Sequence, residues 1–158
     1  MGLLLKDVID FAVNLEREGA MYYERLAHMT KNKKARKIFQ SFAEDERLHE
    51  KTFKKLKESE KESTITVSIE AEIAELVNAI SQEDILPNIT DKEIENLHPL
   101  SAIKLGLKTE KNALKLYKQV LKKIKSDEGK KIIKALISEE EQHHHELTEM
   151  HKNKTFDF

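Results

Sequence analysis

Apolar residues recur every three to four positions along four long stretches of the chain, the spacing of amphipathic helices. The first stretch covers about residues 4–29, with Val8, Phe11, Ala12, Leu15, Tyr22, Tyr23 and Leu26 on one broad stripe. Lys31-Asn32-Lys33-Lys34 ends it. The second covers about residues 35–58, with Ile38, Phe39, Phe42, Phe53 and Leu56. The third covers about residues 101–125, with Ile103, Leu107, Leu114, Tyr117 and Leu121, and Pro99 just ahead of it supports a helix start there. The fourth covers about residues 127–151, with Ile132, Ile133, Leu136, Leu147 and Met150. Helices of about 24 residues run about 36 Å. The short links within each pair predict antiparallel neighbours.

A longer segment, residues 59–100, joins the two pairs, and antiparallel packing across it requires a crossover along the bundle. Within it, residues 68–81 place Ile69, Ile73, Leu76, Val77 and Ile80 at helical spacing. Thr90-Asp91-Lys92-Glu93 has the form of a capping box for a further short helix. The expectation is an all-α, antiparallel four-helix bundle, with residues 1–158 in one domain and the crossover covering the bundle.

The two helical pairs repeat at an offset of 94 residues. Glu16 corresponds to Glu110, Tyr23 to Tyr117, Glu46 to Glu140 and His49 to His143. The apolar positions follow the same register: Phe39 and Ile133, Phe42 and Leu136, Phe53 and Leu147, Leu56 and Met150. Two similar hairpins related by a pseudo-twofold axis therefore build the bundle.

Composition narrows the chemistry. A formal net charge of −1 gives no basic bias toward nucleic acid or an anionic membrane surface. No apolar run is long enough to span a membrane, and the opening Met1–Lys6 run is too short for a secretory signal, so a cytoplasmic location is expected. The chain has no Cys, which excludes disulfides, thiolate metal sites and cysteine nucleophiles.

Four Glu-x-x-His strings remain, at Glu46/His49, Glu95/His98, Glu140/His143 and Glu141/His144. Residues three apart share a helix face, so a carboxylate and an imidazole at this spacing can converge on one metal ion. Two such pairs plus one Glu from each remaining helix give six ligands, enough for two ions about 3.5–4 Å apart. The repeat selects Glu16, Glu46, His49, Glu110, Glu140 and His143. His143 reproduces the apolar spacing around His49, whereas His144 would put Lys134 and His151 at core positions; His144, His145 and His151 read as surface residues. Glu95/His98 precedes Pro99 at a helix boundary and has no partner in the repeat, which points to a chance match.

Four inward carboxylates would repel one another, and two divalent ions resolve that conflict. Oxygen and imidazole donors without thiolate suit iron or manganese. Each single Glu has small neighbours on its face: Ala12 and Gly19 around Glu16, Gly106 and Ala113 around Glu110. They provide either room for a metal cluster or close helix contact. Tyr23 and Tyr117 lie seven residues beyond those glutamates, positioned to hydrogen-bond a ligand carboxylate of a neighbouring helix.

Leu15-Glu16-Arg17-Glu18-Gly19-Ala20-Met21-Tyr22-Tyr23 and Ala43-Glu44-Asp45-Glu46-Arg47-Leu48-His49 resemble the first two helix motifs of the rubrerythrin branch of the ferritin-like di-iron proteins. Thr109-Glu110 through Tyr117, and Glu139-Glu140-Glu141-Gln142-His143, resemble the third and fourth. The resemblance implies a ferritin-like bundle with two Fe ions, Mn or Zn being substitutes, on the six residues above, with Glu46 and Glu140 bridging. It differs at Ala113, where rubrerythrins proper carry an additional glutamate, and in having no Cys-rich rubredoxin module.

The expected function is reduction of a small oxidant, peroxide or dioxygen, at a di-iron site supplied by an external electron donor. Iron oxidation or storage, and a helical scaffold with structural metal, are the alternatives. A homodimer is a further expectation, with the tail residues Phe156 and Phe158 as candidate docking groups.

Overall fold

The computed structural model describes residues 2–82 and 90–154; Phe156 and Phe158 lie outside the described residues. Seven helices are described: α1 (Leu5–Met29), α2 (Lys33–Ser59), α3 (Glu62–Ile65), α4 (Ala71–Gln82), α5 (Asp91–Asn96), α6 (Pro99–Lys123) and α7 (Asp127–Asn153). The four long ones match the periodic stretches. None among the described residues is long and apolar enough to cross a membrane.

Helix boundaries follow local capping chemistry. The Leu4 N–H donates to the Asp7 carboxylate at 2.8 Å, closing the first turn of α1. Asn32 accepts from the Ala35 N–H at 3.0 Å, so α2 starts inside the Lys-rich turn, slightly earlier than the apolar pattern suggests. Pro99 does not precede α6; it is its first residue, because a missing N–H costs nothing there and the proline φ suits a helix. His98 caps that helix by accepting from the Leu100 N–H at 3.2 Å. Thr90 and Glu93 form the expected capping box of α5, and Ser126 caps α7 by accepting from Gly129 at 2.9 Å. The four-residue helix α3 escapes the sequence reading because it is too short to show a period.

The bundle holds two separate apolar clusters. One gathers Leu5, Val8, Ile9, Phe53, Leu56, Leu116, Val120, Ile124, Ile133 and Leu136. The other gathers Tyr22, Leu26, Phe39, Phe42, Ala102, Ile103, Leu147 and Met150. The start of α1 and the end of α2 therefore share one end of the bundle with the α6–α7 turn. The α1–α2 turn lies at the other end with the start of α6. The crossover bridges the ends: Ile65, Ile73 and Val77 pack on the first cluster and Ile94 on the second. Backbone bonds from Leu5 to Val67 (3.0 Å) and from Ile69 to Leu3 (3.1 Å) fasten it to the start of the chain. Phe11, Leu15, Leu107, Leu114, Leu121 and Ile132 are only partly buried and flank the clusters, while Leu116 and Val120 carry more of the core than the sequence stripe suggested.

Where α2 ends, buried Glu60 accepts from the Ser126 hydroxyl, beside the N-terminus of α7. Gly129 makes room for this contact. A Cβ there would come within 2.7 Å of both Ile124 Cγ2 and Ser126 Oγ and would also collide with the Glu60 carboxylate. Alanine has the better helix propensity by about 1 kcal/mol, but overpacking costs about 1–3 kcal/mol. Gly129→Ala is therefore expected to destabilise the fold by about 1 kcal/mol net, read as a lower urea midpoint. An unchanged or raised midpoint would show that Glu60 and Ser126 move aside freely.

Candidate metal centre

Between the two apolar clusters lies a band of ionisable side chains. Glu16, Glu46, His49, Glu110, Glu140 and His143 are all buried, none more than 5% exposed. One long helix supplies each single glutamate, α1 for Glu16 and α6 for Glu110, and α2 and α7 each supply a Glu/His pair. The two pairs sit at i and i+3 on the inward faces of their helices, which aims both groups at the bundle axis.

The structure brings all six together. Glu16, Glu46, His49 and Glu140 offer ligand atoms within 4.8 Å of one another, and so do Glu46, Glu110, Glu140 and His143. The two sets share Glu46 and Glu140. His49 Nδ1 lies 2.8 Å from Glu140 and 3.3 Å from Glu16. His143 Nδ1 lies 3.1 Å from Glu46 and 3.5 Å from Glu140. The ring of Phe42 stacks on His143 with centroids 4.2 Å apart. Outside the centre, Nε2 of each histidine meets a carboxylate absent from the sequence-based set: Glu139 at 2.6 Å from His49, and Asp45 at 3.0 Å from His143.

The tyrosines close the centre from within. The Tyr23 hydroxyl donates to Glu110, and the Tyr117 hydroxyl donates to Glu16. Each thus serves the glutamate of the other hairpin, where the sequence had placed the partner only on a neighbouring helix. Gly19 and Gly106 have different reasons. A Cβ at Gly19 would sit 3.1 Å from Glu46 Oε2, so this glycine makes space for a carboxylate of the centre. A Cβ at Gly106 would sit 3.3 Å from Leu147 and 3.5 Å from the Tyr23 hydroxyl, so that glycine serves packing around the tyrosine.

The other histidines lie apart. His98 caps α6, and Glu95 is exposed. His145 is exposed, whereas His144 and His151 are partly covered. None of these enters a candidate ligand group among the described residues.

Charge is the problem this arrangement poses. Burial and neighbouring carboxylates push Glu46 and Glu110 well above the usual carboxylate range and raise Glu16. Burial also opposes ionisation of Glu140, but hydrogen bonds from Glu110, His143 and His49 overcome it and hold that carboxyl low. Burial disfavours the charged form of His49, yet the carboxylates of Glu140 and Glu16 raise it to about 11. His143 is raised for the same reason, chiefly by Glu140. Protons therefore do part of the work of compensating these groups.

They do not do all of it. Glu16 Oε2, Glu46 Oε1, Glu140 Oε2 and His143 Nδ1 are buried and lack a hydrogen-bond partner. Each such atom costs about 1–3 kcal/mol, and all four belong to the centre. Two divalent ions would match four carboxylates in charge and give the orphaned atoms a partner. The donor set of oxygen and imidazole, with no thiolate, accepts iron or manganese readily. The residues fit a dinuclear metal centre.

A rubrerythrin family model matches residues 7–152. The chain belongs to the rubrerythrin family. Its fold is ferritin-like. A solved structure from Thermotoga maritima, described as a ferritin-like diiron-carboxylate protein, superposes with a TM-score of 0.78 at 20% identity, covering 98% of each chain. No curated protein matches the sequence at a significant level. In this rubrerythrin relative, membership of the family and the buried carboxylate–histidine cluster together point to dinuclear metal binding.

Two outcomes follow for the centre. With His49 raised to about 11, its imidazole holds a second proton at neutral pH, and metal loading must expel it. The heat of metal binding at pH 7 should therefore vary with the ionisation enthalpy of the buffer, with the sign of proton release; no variation would contradict this charge assignment. Gly19→Ala should leave the metal-free fold as stable or more stable, since alanine favours helix by about 1 kcal/mol. It should also weaken metal binding by up to about tenfold through the Glu46 contact, equivalent to about 1.4 kcal/mol. Equal affinity in a chelator competition would show that Glu46 tolerates the methyl group.

Proposed function

We propose that this chain is a di-iron oxidoreductase that reduces peroxide or dioxygen with electrons from a separate donor. The observation that carries the reading is the pair of overlapping ligand sets sharing Glu46 and Glu140. Four protein groups for each ion leave an iron coordination shell incomplete, as a site that binds a small oxidant requires. Oxygen and imidazole donors without thiolate suit iron and manganese alike, with zinc a further substitute, and we take the pair to be iron. The Thermotoga structure described as diiron-carboxylate supports the same choice.

When bound, a ferrous pair supplies two electrons, which with two protons convert one hydrogen peroxide to two waters. The remaining work belongs to the side chains. Glu46 and Glu140 hold the two positions together, and His49 and His143 complete one set each. Tyr23 and Tyr117 hold the Glu110 and Glu16 carboxylates by donated hydrogen bonds. The apolar clusters on either side exclude bulk water, which strengthens every charge interaction between them. The sequence holds no Cys, so reducing equivalents reach the centre from outside these 158 residues. We place the reaction in the cytoplasm, whose reducing poise suits a centre that must return to the ferrous state.

Protein loaded anaerobically with ferrous iron is expected to hold two ions per chain. Stopped-flow mixing with peroxide or dioxygen should then oxidise them faster than free ferrous iron, and Glu46→Ala should abolish both loading and acceleration. Oxidation no faster than in buffer would reject the oxidoreductase reading. Retention of many more than two ions per chain after oxidation would favour iron storage instead.

A further inference from the structure

The outward face of α6 carries one kind of charge. Its exposed residues beyond Ser101 are Lys104, Lys108, Lys111, Lys115, Lys118 and Lys122. Spacings of three and four keep all six on a single stripe, about 27 Å long. The one acidic residue of the helix, Glu110, is buried among the ligands of the centre. Like charges four residues apart repel, so α6 bears a cost that a mixed-sign surface avoids. Lys118 reaches Glu141 on α7 at 3.8 Å, and Lys122 meets the neutral Gln119 at 3.4 Å. Among the described residues no carboxylate pairs with Lys104, Lys111 or Lys115.

The first hairpin has a self-sufficient surface by comparison. The equivalent positions on α1 are Asp10, Asn14, Arg17, Met21, Glu24 and His28, of mixed charge. Three of them pair across to α2: Asp10 with Lys57, Arg17 with Glu50 and Glu24 with Arg47. A formal net charge of −1 hides this difference, because the cations collected on α6 leave the rest of the chain acidic. Such a separation turns an incoming anionic partner toward α6.

We propose that the α6 stripe is the docking surface for the electron donor, and that the donor is a small acidic protein carrying one electron at a time; the inference rests on the oxidoreductase reading above. A carrier seated on the stripe is separated from Glu110 by the width of one helix, about 10–12 Å. Two encounters, each oxidising one carrier, return the two electrons that one peroxide removes. Lysine suits this use. Its compact, hydrated charge attracts carboxylates without the bidentate grip of arginine, and a carrier must leave after each transfer. The arginines that would favour a phosphate-rich partner, Arg17, Arg25, Arg36 and Arg47, all lie on the other hairpin. A membrane surface calls for apolar side chains beside the cations. Among the described residues the exposed large hydrophobics are Met21 and Leu48, on α1 and α2.

A plant-type ferredoxin, an acidic one-electron carrier, serves as the probe. Binding of its oxidised form to the full chain is followed by NMR at about 10 mM and about 150 mM salt, where charges act over about 30 Å and 8 Å. One triple variant, Lys104→Glu with Lys111→Glu and Lys115→Glu, reverses the stripe. Another, Lys33→Glu with Lys34→Glu and Lys37→Glu on α2, changes the net charge equally elsewhere. Wild type should bind at low salt and lose about tenfold or more in affinity at the higher salt. The stripe variant should bind about tenfold or more weakly than the α2 variant. Its melting temperature should be no lower than wild type, because the reversals relieve repulsion along α6. A triple glutamine variant of the stripe, which adds no new charge, should fall between the two. Ferredoxin should reduce the ferric form of the stripe variant correspondingly slowly, while a neutral small-molecule reductant acts on every variant alike. Equal binding by the two charge-reversed variants overturns the proposal and leaves the oxidoreductase reading standing. So does a wild type that ignores ferredoxin and binds anionic lipid vesicles, duplex DNA or neither. A chain that takes up no iron overturns the oxidoreductase reading, and the donor role with it.

Discussion

Everything in this bundle is arranged around the burial of four carboxyl groups and two imidazoles at its middle. Such groups are costly to remove from water unless each finds a partner. Here they divide the interior into two apolar clusters rather than interrupting one. The helices must be long enough to build a core on both sides of the band, and the 25–27 residues of the four main helices meet that need. The hydrophobic ends hold the fold. The polar middle gives up some of that stability for a site, a trade common where function and packing compete.

The compensation is reciprocal at every level. Tyr23 serves Glu110 and Tyr117 serves Glu16; Glu139 meets His49 and Asp45 meets His143. In each case a group from one hairpin completes a group from the other. Two copies of a hairpin packed about a twofold axis place equivalent residues opposite each other, so one favourable contact occurs twice. The symmetry is incomplete. Gly19 clears space beside Glu46, where the equivalent position carries Ala113; Phe42 stacks on His143, and the position equivalent to Phe42 carries the non-aromatic Leu136. The two halves of the centre are therefore chemically alike but not interchangeable.

Much of this was legible in the sequence because a helix converts spacing into direction. Residues three, four and seven apart share a face, so the apolar stripe and the Glu-x-x-His register together named which side chains point inward. The repeat then distinguished His143 from His144 and His145, a choice no single helix could make. Less was legible where period gave no information. The four-residue α3 has none, and Pro99 marks a helix start without saying on which side of it the helix begins.

By itself, then, the sequence determined the helices, the repeat, the inward faces and the six residues brought together. Tertiary structure alone decided which groups meet across helices. Asp45 and Glu139 are partly exposed, and partial exposure gives no signal in a hydrophobic pattern. Whether Gly19 and Gly106 served a cluster or a helix contact was likewise open until Glu46 and Tyr23 were seen beside them. The physical reason is the same in each case. Helical periodicity fixes the angle at which a side chain leaves its own helix. The rotation and stagger of neighbouring helices, set by packing of the whole bundle, fix what it meets.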